Sequence, residues 1–324
     1  MSEAKPQPLP AISESAIRDK LIGNQHVFDV IFPYLNAHKV GLARTNQPQG
    51  VFLLTGPTGV GKTYTVELIA ELLHRSKCLL RIDCGEYTLE HETAKLLGAP
   101  PGYVGHEKTP PRLTQARINS VASEFSPISV VLFDEIEKAP FTLQETLLSL
   151  CDTAVLHLGD NTRVDFSKSL IFFTSNTGGK DLINQARGGF NFARPQTSNN
   201  SIGYTTLTKK FLPEFLNRVD EVISYELLTT PQMKEIRDMQ LYNLQIYLDA
   251  RLGKKSPKIQ LTHEVEELIL PLNKDRIQFG ARVIKRAIYR HIVLPLSEYL
   301  LTNQTGILEF SLDANLKVQI ERID

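Results

Sequence analysis

A chain of 324 residues, 42 per cent of them apolar, has enough material for a large core and reads as two domains rather than one. Lys plus Arg equals Asp plus Glu at 36 each, so no global field favours nucleic acid or an anionic membrane, and any polyanion specificity has to be local. Cys78, Cys84 and Cys151 form no CxxC pair, the histidines show no HExxH spacing, and neither a signal peptide nor a long apolar run is present. These absences argue against disulfides, structural zinc and a membrane span, and they predict a cytoplasmic protein.

In chain order, residues 1 to 12 are polar and proline-rich and read as a disordered tail. A helical pattern runs from Glu14 to Arg44, broken near Gly23. The stretch VFLLTG (51 to 56) is a short apolar run ending in glycine, the pattern of a buried parallel strand. Similar runs recur as LLRIDCG (79 to 85), SVVLFDE (129 to 135) and SLIFFTSN (169 to 176). Between the first two, Val66, Ile69, Ala70 and Leu73 follow helical spacing; between the last two, Leu143, Leu147, Leu150 and Cys151 do the same. The segment GAPPGYVGHE (98 to 107) reads as a loop, with Tyr103 and Val104 at its tip. After RVDEVISYEL (218 to 227) the texture turns helical, with a helix start at Thr230 and Pro231 and a further helix over about 281 to 301. The final ILEFSLDANLKVQIERI predicts a terminal β-hairpin. The expected fold class is α/β: a three-layer α/β/α domain with a parallel sheet over 13 to 228, then a smaller, mainly helical domain over 229 to 324. Ligands of such a sheet lie beyond the carboxyl ends of its strands.

The motif GPTGVGKT (56 to 63) fits G-x-x-x-x-G-K-[ST] and sits between a strand and a helix, the context that confirms such a match. Gly56, Pro57, Thr58, Gly59, Val60, Gly61, Lys62 and Thr63, with Tyr64 after them, form the expected nucleotide-binding set. The glycines let backbone N–H groups turn toward phosphate oxygens at a helix N-terminus. Lys62 would pair with the β and γ phosphates of ATP, and the Thr63 hydroxyl would ligate Mg²⁺. VVLFDE supplies the complement: Asp134 would hold Mg²⁺ through water, and Glu135 would polarise the attacking water. Asn176, at the end of another apolar strand, could orient that water, although Asn at a strand end is otherwise a turn former.

The run GPTGVGKT, RIDCGEY, LLGAPPGYVG, VVLFDEIEKA, RVDF, TSN, FLPEFLNRVDE and FGAR resembles the second ATPase module of the ClpA, ClpB and ClpC unfoldases, members of the AAA+ family, over about residues 15 to 322. The resemblance implies an AAA+ P-loop domain followed by a helical lid. It makes Arg218 the arginine finger that reaches a neighbouring subunit's γ-phosphate, and so implies a homo-oligomeric ring, usually a hexamer. Arg282 corresponds to the second sensor and Ile22 to the segment that packs on adenine. Tyr103 and Val104 match the pore loop that grips a translocating polypeptide substrate; the alternative is that Tyr103 folds back onto its own core. Gly188, Gly189 and Phe190 partly resemble the loop by which such unfoldases dock on the ClpP peptidase; the alternative is a disordered surface insertion.

Several positions depart from that pattern. VFLLTG begins at residue 51, so a single module without the relatives' N-terminal domains is expected. Asn24 is extra in LIGNQ, Pro110 and Pro111 should stiffen one side of the pore loop, Pro140 stands where the family often has histidine, and LHLGDNTRVDF lacks an early arginine, which argues against a second pore contact. The expected function is an ATP-driven unfoldase or disaggregase-like remodeller. Two rivals are a nucleotide-switched scaffold acting on one partner without threading, and a DNA-acting motor. The neutral composition and an aromatic rather than basic pore loop count against the motor.

Overall fold

The computed structural model describes residues 12–99, 110–178, 207–253, 256–270, 280–302, 306–313 and 317–323. These residues divide into two compact units. The first holds the chain up to Gly56, Lys62–Gly178 and the segment ending at Tyr225; the second holds Pro57–Gly61 and the segment beginning at Glu226. The sequence alone places a boundary near 228 and does not set Pro57–Gly61 apart.

In the first unit the helices are α1 (Glu14–Asp19), α2 (Val27–Lys39), α3 (Lys62–His74), α4 (Thr93–Leu97), α5 (Gln115–Ser120), α6 (Phe141–Thr153) and α7 (Pro213–Leu216). The strands are β1 (Gly50–Thr55), β2 (Leu80–Asp83), β3 (Ser129–Asp134), β4 (Val155–His157), β5 (Arg163–Asp165), β6 (Ser169–Ser175) and β7 (Glu221–Ser224). Five of them form a parallel sheet in the order β2-β3-β6-β1-β7, while β4 and β5 pair as a separate antiparallel hairpin.

Every residue of β1, β3 and β6 is buried, which is why these strands read as continuous apolar runs rather than alternating ones. Register sets the packing. Phe172 lies beside Phe52 and stacks on it at 5.1 Å, while the next residue, Phe173, lies beside Phe133 and stacks at 5.2 Å. Consecutive strand residues point to opposite faces, so the pair Phe172–Phe173 fills the core on both sides of the sheet. Edge strand β2 instead alternates, with Arg81 and Asp83 exposed.

The helical pattern expected to reach Arg44 stops at Lys39. Gly41 takes φ 80°, the left-handed conformation that ends helices and that glycine adopts without steric cost. Pro140, in extended conformation, is the cap from which α6 starts.

The second unit contains α8 (Thr230–Leu252), β8 (Lys258–Leu261), α9 (His263–Ile269), α10 (Ala281–Ile288), α11 (Leu294–Thr302), β9 (Ile307–Leu312) and β10 (Val318–Arg322). Helix α8 opens on a capping box between Thr229 and Gln232, with Pro231 in its first turn. The single helix expected over 281 to 301 is interrupted by a π-turn at Tyr289–Val293. The ladder widens there, with the Leu294 N–H donating to the Tyr289 carbonyl five residues back, just before Pro295, which has no N–H to give. The terminal hairpin forms as β9–β10, and β8 adds to it in parallel, giving a three-stranded sheet β10-β9-β8. At four residues, KIQL carries too short an alternation to stand out in the sequence. Among the described residues no helix is long and apolar enough to cross a membrane.

Candidate functional site

The site is built where β1, β3 and β6 end. Strand β1 stops at Thr55, and the chain turns through Gly56 (φ 134°), Gly59 (φ 77°) and Gly61 (φ 106°) before α3 begins at Lys62. These angles lie in a region that side chains rarely tolerate. At Gly56 space forbids one as well: a Cβ would meet the Tyr225 carbonyl oxygen at 2.7 Å. Tyr225 is held there by its N–H to the Thr55 carbonyl (2.8 Å) and by its hydroxyl to Thr65 Oγ1 (2.7 Å). Lys62 is 8 per cent exposed, and its Nζ donates to the Gly56 carbonyl (2.7 Å) and to Asn176 Oδ1 (3.0 Å). Tyr64 lies further along α3, with Lys77 Nζ 4.9 Å from its ring centre.

Neighbouring strands β3 and β6 bring their ends side by side. Asp134 accepts hydrogen bonds from Thr63 Oγ1 (3.4 Å) and Thr174 Oγ1, and it pairs with Arg81 Nη2 at 2.5 Å. The Thr63 hydroxyl and Asp134 carboxylate are thus adjacent hard oxygens, the donor chemistry that suits Mg²⁺. Among the described residues no cluster of three or more His, Cys, Asp or Glu could cage a metal alone. Mg²⁺ completed by phosphates and water fits this donor set.

Glu135 follows in the left-handed conformation (φ 58°, ψ 47°), with its N–H donating to Thr174 Oγ1 at 3.0 Å. A non-glycine residue there is uncommon and costs about 1–3 kcal/mol, and such strain concentrates at functional sites. Its carboxylate accepts from Asn176 Nδ2 (3.4 Å) and forms an ion pair with Lys138. That hydrogen-bonded pairing holds the Lys138 ammonium's pKa above its ordinary value. Asn176 donates its own N–H to Glu137 Oε1 at 3.0 Å. Lys62, Thr63, Asp134, Glu135 and Asn176, dispersed over 115 positions of sequence, therefore form one connected cluster.

The remaining expected residues lie elsewhere. Arg218 is one-third exposed, donates to the Glu214 carbonyl (3.1 Å) and faces Asp152 at 3.7 Å. Ile22 is buried, as is Asn24 beside it. In the second unit, Arg282 is exposed in the first turn of α10, next to Ala281, whose N–H donates to the Gly59 carbonyl at 2.9 Å. Gly280 is needed for that approach, since a Cβ would meet Gly59 O at 2.4 Å. Tyr103, Val104, Gly188, Gly189 and Phe190 fall outside the described residues.

Four groups in the cluster escaped the sequence reading: Arg81, Thr174, Glu137 and Lys138. All four lie inside quoted motifs, Arg81 in RIDCGEY, Glu137 and Lys138 in VVLFDEIEKA and Thr174 in TSN, but side-chain type alone gives no reason to choose them.

A parallel sheet with a phosphate loop after β1 and an Asp-Glu pair after β3 defines the class, a P-loop ATPase. Comparison with known proteins narrows it: residues 47–222 match the AAA domain (Cdc48 subfamily), and residues 228–307 match the C-terminal D2-small domain of ClpB protein. The chain belongs to the AAA domain family. It is 34 per cent identical over 289 residues to the ATP-dependent Clp protease ATP-binding subunit ClpE of Streptococcus pneumoniae, covering 89 per cent of this chain and 36 per cent of that protein. It is 33 per cent identical over 293 residues to the chaperone protein ClpB of Vibrio cholerae, covering 90 and 32 per cent. To ClpB of Chlamydia trachomatis it is 34 per cent identical over 304 residues, covering 93 and 33 per cent. The chain thus spans about a third of the length of these relatives.

Proposed function

We propose that the chain is the ATP-hydrolysing engine of a polypeptide remodeller that works as a homo-oligomeric ring. One observation carries the chemistry: Lys62, Thr63, Asp134, Glu135 and Asn176 meet at the carboxyl ends of β1, β3 and β6. In this reading Lys62 neutralises the β and γ phosphates, Thr63 and Asp134 hold Mg²⁺, Glu135 takes a proton from the attacking water, and Asn176 orients it. Mg²⁺ when bound supplies charge neutralisation along the phosphates. Arg218, solvent-accessible and only loosely paired, serves the neighbouring subunit's nucleotide, and Arg282 reaches the nucleotide from α10.

The polypeptide substrate follows from the relatives named chaperone ClpB and from the Tyr103–Val104 segment, whose aromatic suits sequence-tolerant contact. The relative named as a protease subunit, with Gly188-Gly189-Phe190 here, motivates a peptidase as a further partner, to be sought by pull-down with a ClpP-type peptidase in ATP.

The deciding experiment compares nucleotide binding and turnover. Lys62→Ala should abolish ATP binding, whereas Glu135→Gln should bind ATP and hydrolyse it about 10²–10⁴-fold more slowly. Normal turnover in Glu135→Gln would remove the water-activating role. Stimulation of hydrolysis by an unfolded protein, lost in Tyr103→Ala, supports threading; stimulation intact in that variant favours a scaffold that binds a partner without threading it.

A further inference from the structure

Resting on the hydrolysis centre just proposed, we infer that Glu137 and Lys138 are its positioning residues: Glu137 holds Asn176 by the main chain, and Lys138 holds the Glu135 carboxylate. The argument begins with Asn176, whose side chain touches both Lys62 Nζ (3.0 Å) and Glu135 Oε1 (3.4 Å). Where that amide points depends on the backbone beyond the end of β6, and the backbone N–H of Asn176 is tied to Glu137 Oε1 at 3.0 Å. The bond is charge-assisted, the stronger kind.

The other oxygen of Glu137 strengthens the case. Oε2 is sealed from solvent and has no hydrogen-bond partner among the described residues. Burying a carboxylate half-satisfied is costly, and an apolar side chain would fill the same space without that cost. An acceptor at this position answers a need of the site rather than of the core.

Lys138 is placed by the turn that Glu135 starts. Ile136–Lys138 is one turn of 3₁₀ helix, closed by the Lys138 N–H to the Glu135 carbonyl at 2.9 Å. In such a turn residues i and i+3 eclipse, so Lys138 stands directly over Glu135 and its ammonium pairs with Oε2 while Asn176 takes Oε1. Both carboxylate oxygens of Glu135 are thus engaged, one by each braced partner. Glu137, between them, faces the end of β6.

The test uses the full chain and four variants: Glu137→Ala, Glu137→Gln, Lys138→Met and Lys138→Arg. Without nucleotide, hydrogen exchange at the Asn176 amide should quicken about tenfold or more in Glu137→Ala and stay near wild type in Glu137→Gln, which keeps an acceptor. With nucleotide, Glu137→Ala and Lys138→Met should bind a fluorescent ATP analogue within about twofold of wild type, while kcat falls about 10–100-fold. Glu137→Gln and Lys138→Arg should recover most of it. Unchanged Asn176 exchange in Glu137→Ala, wild-type kcat in Lys138→Met, or conservative variants as impaired as the truncations would each overturn the inference. If Glu137→Ala does not fold, the Lys138 pair decides. A wild-type chain without ATPase activity would refute the proposed function and leave the exchange measurement to judge the brace alone.

Discussion

At the scale of single residues, Thr174 is the least conspicuous member of the cluster and one of the most connected. Its hydroxyl donates to Asp134 Oδ1 while accepting the Glu135 N–H, so one oxygen links the expected metal ligand to the expected water-activating residue. Thr174→Val keeps the β-branched shape that β6 packs but leaves a buried carboxylate oxygen short of a donor and a strained N–H without an acceptor. We expect kcat to fall about tenfold or more, with a higher Mg²⁺ requirement in a titration of activity against the metal. An unchanged Mg²⁺ requirement would show that Thr174 only packs. In the sequence this threonine is one letter of FFTSN, and nothing local separates it from Ser175 beside it. Its importance exists only because β6 runs parallel to β3 in the register that sets Phe133 beside Phe173.

At the scale of elements, the turn between β1 and α3 shows local chemistry and tertiary context agreeing. G-x-x-x-x-G-K-T predicts a phosphate-binding turn, and the backbone obliges with positive φ at Gly56, Gly59 and Gly61. The backing of that turn by Tyr225, more than 160 residues away, is not visible in the motif. Gly56→Ala would drive a methyl into the Tyr225 carbonyl and force a disfavoured conformation, costing about 1–3 kcal/mol. The expected outcome is a lower thermal midpoint together with weakened nucleotide binding. Binding and midpoint both at wild-type values would mean that the turn can shift without consequence. The strands themselves were legible because burial on both faces demands unbroken apolar runs, as in VFLL, VVLF and LIFF. Strand β8 was not, because four half-buried residues are recruited by their neighbour β9 rather than by their own pattern.

At the scale of the whole molecule, buried titratable groups tie stability to pH. His74, at the end of α3, is almost fully buried, and its Nδ1 meets Ser123 Oγ at 2.8 Å. Burial therefore holds its pKa below the ordinary 6.5, and lesser exposure to solvent together with Arg290 does the same for His291 in the second unit. Because the folded chain resists a proton that the unfolded chain accepts, stability is full above about 6.5 and declines as pH falls from there toward the folded value. Urea unfolding midpoints at pH 7.5 and 5.5 should differ, and His74→Asn, which cannot take up the proton, should narrow the gap. An equal gap in the variant would assign the acid sensitivity to other groups.

Read alone, the sequence determined the α/β class, the strand-and-helix alternation, the phosphate loop and the acids that answer it, because each rests on a local rule: apolar runs for strands buried on both faces, glycines where a backbone must turn toward phosphate, carboxylates at a strand end. Only the tertiary structure decided which of these groups touch. The order β2-β3-β6-β1-β7 places Asn176 against Lys62 and Glu135, brings Arg81 to Asp134, and sets Glu137 against the backbone of Asn176. The reason is physical: contacts between distant segments come from strand order and register, which no stretch of chain carries by itself.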